Sequence, residues 1–291
     1  MTKPGDLVLI DSPMFFSGLQ LLEQLGVGAI EMPTLAEPGL DIGTLDATLR
    51  RHKVAACLLM TNCQNRLGFS MPEEKKRALV QLLRQDDVPL VENDVYGELQ
   101  FGYRHNRAAK AFDDRGLVMH CGSFTKCLAP GFKIGWVAAG RFTEAVVNRK
   151  FATTLGTSVP PQAAIAHKLR HNAYERHLRR LRQALLDGVT RMSVAISRRF
   201  PAGTRLSRPQ GAYVLWVQLP DGIDSLAMFE RAASRDIGIA PGPIFSARRD
   251  YRNFIRLNCS HPWSASLDRT LVWLGRSIGE MGDGDAASGS S

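Results

Sequence analysis

Short apolar runs alternate with helix-like stretches through the first half of the chain. Residues 7–10, 29–32, 55–60, 89–91, 117–121 and 135–139 read as strands. Between them 18–25, 42–51 and 72–84 carry apolar positions at helical spacing. This alternation predicts an α/β domain with a mostly parallel sheet covered on both faces. Ligands of such sheets sit beyond the carboxyl ends of the strands. A long helical region over 161–199 follows. The pattern then changes to a strand over 212–219, a helix over 225–234, and strands over 237–240 and 253–257. The expected organisation is a large domain over 1–160, a connecting helix over 161–190 and a smaller α+β domain over 191–281. The tail 282–291, GDGDAASGSS, reads as disordered.

Composition narrows the class. The hydrophobic share of 44% is enough to bury a real core. Cys57, Cys63, Cys121, Cys127 and Cys259 form no C-x-x-C pair. An odd, unpatterned set points to a reducing compartment rather than a disulfide framework or zinc site, so no metal is expected. The start, MTKPGDLVLIDSP, lacks a basic segment followed by an apolar one, and no apolar run reaches membrane length. A cytoplasmic protein without a membrane partner is expected. The net charge of +9 raises the question of nucleic acid. Much of it lies in 170–199, where Arg176, Arg179, Arg180, Arg182 and Arg191 alternate with Leu178, Leu181, Leu185, Val189 and Met192. That spacing is the solvated face of an amphipathic helix, and no DNA-reading motif is visible in the chain.

The densest chemistry is the segment Ser123-Phe124-Thr125-Lys126-Cys127-Leu128-Ala129-Pro130-Gly131-Phe132-Lys133-Ile134-Gly135-Trp136. Lys126 stands at the end of a strand, after a small hydroxylated residue and before a Pro-Gly turn. A lysine there can react with a carbonyl once its amine loses a proton, which partial burial promotes. Ser123, Thr125 and Lys133 offer hydroxyls and a cation to a phosphate. The plainer alternative for Lys126 is an ordinary surface lysine.

At these residues the chain resembles the pyridoxal 5′-phosphate (PLP)-dependent aminotransferases of class I/II, fold type I. It resembles in particular the aminotransferase-like domain of MocR-type, GntR-family transcriptional regulators. Their pattern is S-F-S-K-x-L-A-P-G-x-R-x-G-W, in which the lysine carries the cofactor and the arginine binds its phosphate. Lys126 and Lys133 stand at those positions. Asp11-Ser12-Pro13-Met14-Phe15-Phe16 resembles E-S-P-x-Y-F, whose aromatic stacks on the pyridine ring. Phe15 is therefore either a stacking residue or a core residue. Gln64-Asn65-Arg66-Leu67-Gly68 resembles Q-N-P-x-G, so Asn65 implies a hydrogen bond to the cofactor's phenolic oxygen. Arg208-Pro209-Gln210-Gly211-Ala212-Tyr213-Val214-Leu215-Trp216 resembles R-P-x-G-G-x-x-L-W. Asn253-Phe254-Ile255-Arg256-Leu257-Asn258 resembles F-x-R-L-N-x, whose arginine grips the substrate carboxylate, a role that falls on Arg256. Pro241-Gly242-Pro243 with Phe245 resembles the loop that lines the site.

Three departures bear on activity. Glu92-Asn93-Asp94-Val95-Tyr96 resembles E-D-D-V-Y, but Asn93 stands where an aspartate keeps the pyridine nitrogen protonated. Asp94 is one residue off, which on an extended chain is the opposite face. Tyr96 keeps its place toward the phenolic oxygen. Arg66 replaces a proline; if the parent loop is cis there, a trans loop would displace Asn65. The Gly-rich turn that cradles the phosphate lies, in the family, before the strand with which this chain begins. The expected function is a transaminase acting on an amino acid and a 2-oxo acid, with Lys126 and Tyr96 as catalytic residues and turnover impaired. The alternatives are a PLP- or amino-acid-sensing effector domain of a regulator whose winged helix lies outside this chain, and a degenerate remnant. The resemblance also implies a homodimer.

Overall fold

The computed structural model describes residues 1–34, 39–65, 67–102, 105–170 and 173–288, with the backbone alone over 283–288. Strands β1 (Leu7–Ser12), β2 (Gly28–Pro33), β3 (Val54–Leu59), β4 (Leu90–Asn93), β5 (Val118–Ser123) and β6 (Gly135–Ala138) form one sheet in the order β2-β1-β3-β4-β5-β6. All neighbours run parallel except β6, which is antiparallel to β5. Helices α1 (Phe16–Gln24), α2 (Ile42–Arg51) and α3 (Glu73–Gln85) connect the first four strands. The side chains of Asp41 and Asp224 cap helix starts by accepting from Thr44 N–H and Leu226 N–H.

The β1 sequence is apolar without alternation because both of its faces are covered. Leu9 packs with Cys57, Leu59 and Leu90 against Leu45, Leu79 and Leu83 of α2 and α3. Val8 and Ile10 face the other way, with Ala56, toward Leu22 of α1. Burying each such side chain contributes about 1.5–3 kcal/mol.

The region expected as one helical stretch contains two helices, α5 (Val159–Arg170) and α6 (Ala173–Arg199). Helix α4 (Thr143–Thr154) before them was not foreseen. Helix α6 joins the two halves of the molecule. Its Tyr174, Leu178 and Leu185 pack with Tyr96, Leu99 and Cys127, whereas its Val189, Met192 and Ile196 pack with Leu215, Val217 and Ile255. The change of partners falls between 185 and 189. Arg176, Arg179, Arg180 and Arg191 of this helix are exposed, as the spacing predicts, whereas Arg182 turns inward and its Nε donates to the Glu98 carbonyl at 2.7 Å.

The smaller domain holds β7 (Arg205–Leu206), β8 (Val214–Gln218), α7 (Ser225–Ala233), β9 (Ala240–Pro241) and β10 (Phe254–Asn258). Its sheet is antiparallel, in the order β7-β8-β10-β9. A last helix, α8 (Ala265–Ser288), buries Leu271, Leu274 and Ile278 in that domain's core. The sequence reading had no element there, and it ended ordered structure at 281; the helix continues to Ser288.

Packing stops abruptly at the other edge of the large sheet. All four residues of β6 are exposed, and α4 buries none of its side chains. Trp136, Val137, Val147, Phe151 and Leu155 present apolar surface there.

Candidate active site

The turn after β3 presents Asn65. The side-chain amide of Gln64 donates to Asp11 Oδ2 and to the Pro13 carbonyl, both at 2.7 Å, while its oxygen accepts from Leu67 N–H. Gly68 closes the turn with φ +69°, and a Cβ there would lie 2.2 Å from Pro209 Cβ. Only glycine combines that conformation with so close an approach. Asn65 is thereby buried, with Nδ2 donating to Tyr96 Oη at 3.3 Å. Arg66 lies outside the described residues, so its effect on the turn does too.

Arg256 reaches the same place from the middle of β10. Its Nη1 donates to Asn65 Oδ1 at 3.2 Å, across 191 residues of chain. The guanidinium lies 6.0 Å from the centre of the Phe15 ring and 5.1 Å from that of Phe245. Burial pulls its pKa below the ordinary arginine value. Among the described residues no carboxylate pairs with it. Phe15 is half-buried and also packs 4.5 Å from Phe16, which rests against the core of the large sheet.

Lys126 follows β5 at the mouth of this cluster, with an exposed side chain. Partial burial, then the charges of Lys133 and Arg256, lower its pKa. The shift favours the neutral amine, the form that attacks a carbonyl or accepts a proton. Lys133 takes a left-handed conformation, φ +52°, as the Pro130–Phe132 turn ends. The Ser123 hydroxyl is committed to the loop: it donates to the Ile134 carbonyl at 3.4 Å and accepts from Thr125 N–H at 3.1 Å. That leaves Thr125 and Lys133 as the groups of this loop open to a phosphate.

Asn93 and Asp94 face opposite sides of the sheet. Glu92 pairs across the strands with His120, and His120 Nε2 lies 3.6 Å from Asp94 Oδ2, so Asp94 turns toward Glu92. Asn93 points the other way, and its Oδ1 is buried without a hydrogen-bond partner among the described residues. Asp94 therefore does not replace it. Behind them lies a network absent from the sequence reading. Glu92 accepts from Thr61, from Ala109 and Lys110 N–H, and bonds His120 Nδ1 at 3.0 Å. Fully buried Lys76 donates to Asn62 Oδ1 at 2.5 Å and to the Arg107 carbonyl at 2.6 Å, and burial brings its pKa down to about 8.

Tyr213 was also given no role. Its ring meets that of Tyr96 edge-on at 5.5 Å, their hydroxyls hydrogen-bond, and Arg256 lies beside both. The one available signal was a polar aromatic opening the aliphatic strand AYVLWVQL.

The residues fit PLP. Three cations without a carboxylate partner among the described residues, Lys126, Lys133 and Arg256, suit a phosphate-bearing aldehyde and a carboxylate substrate. The unpaired acceptor of Asn93 suits a pyridine N–H but supplies no charge to keep the proton there.

Comparison with known proteins agrees with this geometry. Residues 1–271 match the family described as aminotransferase class I and II. The HTH-type transcriptional regulator YdcR of Escherichia coli is 40% identical over 280 residues, 96% of this chain and 60% of that protein. Aromatic-amino-acid aminotransferase 1 of Thermococcus litoralis is 31% identical, over 96% of this chain and 68% of that one. The crystal structure of Pyrococcus horikoshii kynurenine aminotransferase in complex with PMP superposes with a TM-score of 0.89 at 31% identity, covering 96% of this chain and 70% of its own. The chain thus spans three fifths of the length of the regulator it matches. The cofactor of such domains, and of this one, is pyridoxal 5′-phosphate. By the extent of these matches and the residues they share, the chain belongs to the class I and II aminotransferase family.

Proposed function

We propose that this domain holds PLP at Lys126 and moves an amino group between an amino acid and a 2-oxo acid, at a reduced rate. The observation that supports the reading is that Asn65 bonds both Tyr96 and Arg256, while the charges of Lys133 and Arg256 act on Lys126. Lys126 would hold the cofactor through its amine, Thr125 and Lys133 its phosphate, and Asn65 and Tyr96 its phenolic oxygen. Phe15 would cover its ring and Asn93 meet its nitrogen. When bound, the cofactor supplies the electron sink that makes a substrate's α-hydrogen acidic. Arg256 orients the substrate carboxylate, and Lys126 Nζ takes and returns the α-hydrogen.

A second reading is favoured by one residue. Asn93 brings no negative charge to the pyridine nitrogen, so the ring withdraws electrons less strongly. With slow turnover, a bound amino acid persists, and the domain serves as the sensing module of a regulator. YdcR, itself a regulator, is consistent with that.

The test is spectroscopic. Protein mixed with PLP should absorb in the visible range, and Lys126→Ala should abolish the band and lower turnover by about 10²–10⁴-fold. Repeated conversion of an amino acid supports the transaminase; saturable binding with at most one conversion per site supports the sensor. No band in the unmodified protein would sink both.

We also place the functional unit in the cytoplasm as a homodimer, built on the apolar surface of β6 and α4 beside Lys126. Sedimentation should show a dimer that Phe151→Asp converts to monomer; a wild-type monomer would refute it. No helix among the described residues is long and apolar enough to cross a membrane.

A further inference from the structure

Arg256 is a half-buried cation whose polar surroundings are Asn65, Tyr96 and Tyr213. The family pattern accounts for the first two. Tyr213 is left over, and the backbone fixes it with unusual care. Gln210 N–H donates to the Gly68 carbonyl at 2.8 Å, and Ala212 N–H to the Leu99 carbonyl at 3.0 Å. Cys259 N–H donates to the Tyr213 carbonyl at 2.8 Å. Ala212 is fully buried in the left-handed region, φ +63°, which turns the chain so that the next side chain meets Tyr96. Both domains thus clamp one tyrosine at the guanidinium.

We propose that Tyr213 is a substrate-contacting residue, whose hydroxyl gives the amino acid's carboxylate a second donor beside Arg256. The inference rests on the reading that Arg256 receives that carboxylate. A carboxylate has acceptor sites to spare after one guanidinium contact. The nearest further O–H donors are Tyr96 and Tyr213. Tyr96 is assigned to the cofactor oxygen, where Asn65 joins it, so Tyr213, whose hydroxyl neighbours that of Tyr96, is the donor left for the carboxylate. Burial raises its pKa above the ordinary phenol value, so it remains a donor at every working pH. Its fixed backbone also means that little ordering is needed on binding.

The test uses Tyr213→Phe, which keeps the ring against Tyr96 and removes only the oxygen. The ligands are a 2-methyl amino acid, which lacks an α-hydrogen, and the matching amine without its carboxylate. Dissociation constants are read from the change in visible absorbance of PLP-loaded protein. For the amino acid the constant should rise about tenfold, as for a lost hydrogen bond to a charged group. For the amine and for PLP itself it should stay within about twofold of wild type. Equal weakening of amine and amino acid would mean that Tyr213 only props Tyr96, and overturns the proposal. An unchanged amino-acid constant overturns it too. If Arg256→Met leaves the amino-acid constant unchanged, the functional reading itself fails and takes this one with it. Loss with Arg256→Met but not with Tyr213→Phe rejects only the tyrosine.

Discussion

The two sides of β4 are built on opposite rules. On the side of α2 and α3, Glu92 is fully buried and four groups serve its carboxylate. On the other, Asn93 leaves an acceptor unpaired among the described residues, and Lys126, Lys133 and Arg256 likewise lack carboxylate partners among them. An unpaired buried acceptor costs about 1–3 kcal/mol, as it would on either side. One residue of sequence separates a saturated network from an unsaturated one. The first stabilises the fold, and the second leaves polar groups without protein partners among the described residues. Asp94 is the exception on the Glu92 side: its Oδ1 is also unpaired among the described residues, and burial, then the neighbouring Glu92, push its pKa up to about 7.

Substitutions can break this contrast. The largest effect is expected from Glu92→Ala, which strands His120 without its anion and removes a charge that supports Lys76. Chemical denaturation should show a loss of about 3–5 kcal/mol; a loss below about 1 kcal/mol would mean the network is not saturated as described. Asp94→Asn should act in the opposite direction. The folded protein keeps a proton that the unfolded chain releases near its ordinary value of 3.8, so this group's contribution falls as pH rises toward about 7. The amide removes that slope. Stability at about pH 8 should rise by on the order of 1–3 kcal/mol, with no gain near pH 3. Equal gains at both pH values would show that the carboxylate is not the cause. Asn93→Asp sharpens the other side. It should speed the amino-acid half-reaction about tenfold, while lowering the melting temperature of the cofactor-free protein. An unchanged or slower half-reaction, followed by single-turnover absorbance, would remove residue 93 from the pyridine nitrogen. The smallest effect is expected at Ser225, whose buried hydroxyl has no partner. Ser225→Ala, far from the site, should stabilise by up to about 1 kcal/mol; a clear loss in calorimetry would reveal an unseen partner.

What the sequence showed and what it hid divide on physical grounds. Local periodicity was sufficient for β1 to β6 and for α2, because a parallel sheet leaves long apolar runs with helices between them. That Asn65, Tyr96 and Arg256 would meet was legible because short motifs hold their backbones. The network under Glu92 was not. Its members Thr61, Lys76, Ala109 and His120 are ordinary residues in separate segments, joined only when β3, β4, β5 and α3 pack. Tyr213 stood inside a recognised motif, yet its meaning depended on Tyr96, more than a hundred residues away. Helix α8 escaped because its apolar positions begin just after the polar stretch SHPWSAS. The contrast between Asn93 and Asp94 was foreseen from pleat alternation alone, and the positions of the two side chains agree with it.

Helix α6 belongs to both domains, and its 27 residues span about 40 Å. One end borders Tyr96 and Cys127, and the other carries the core of the small domain. Rotation of the small domain toward a ligand by 5° therefore swings one end of this rod by about 3–4 Å relative to the other. Any shift of the small domain is thereby carried along the rod to the residues packed around Tyr96 and Cys127.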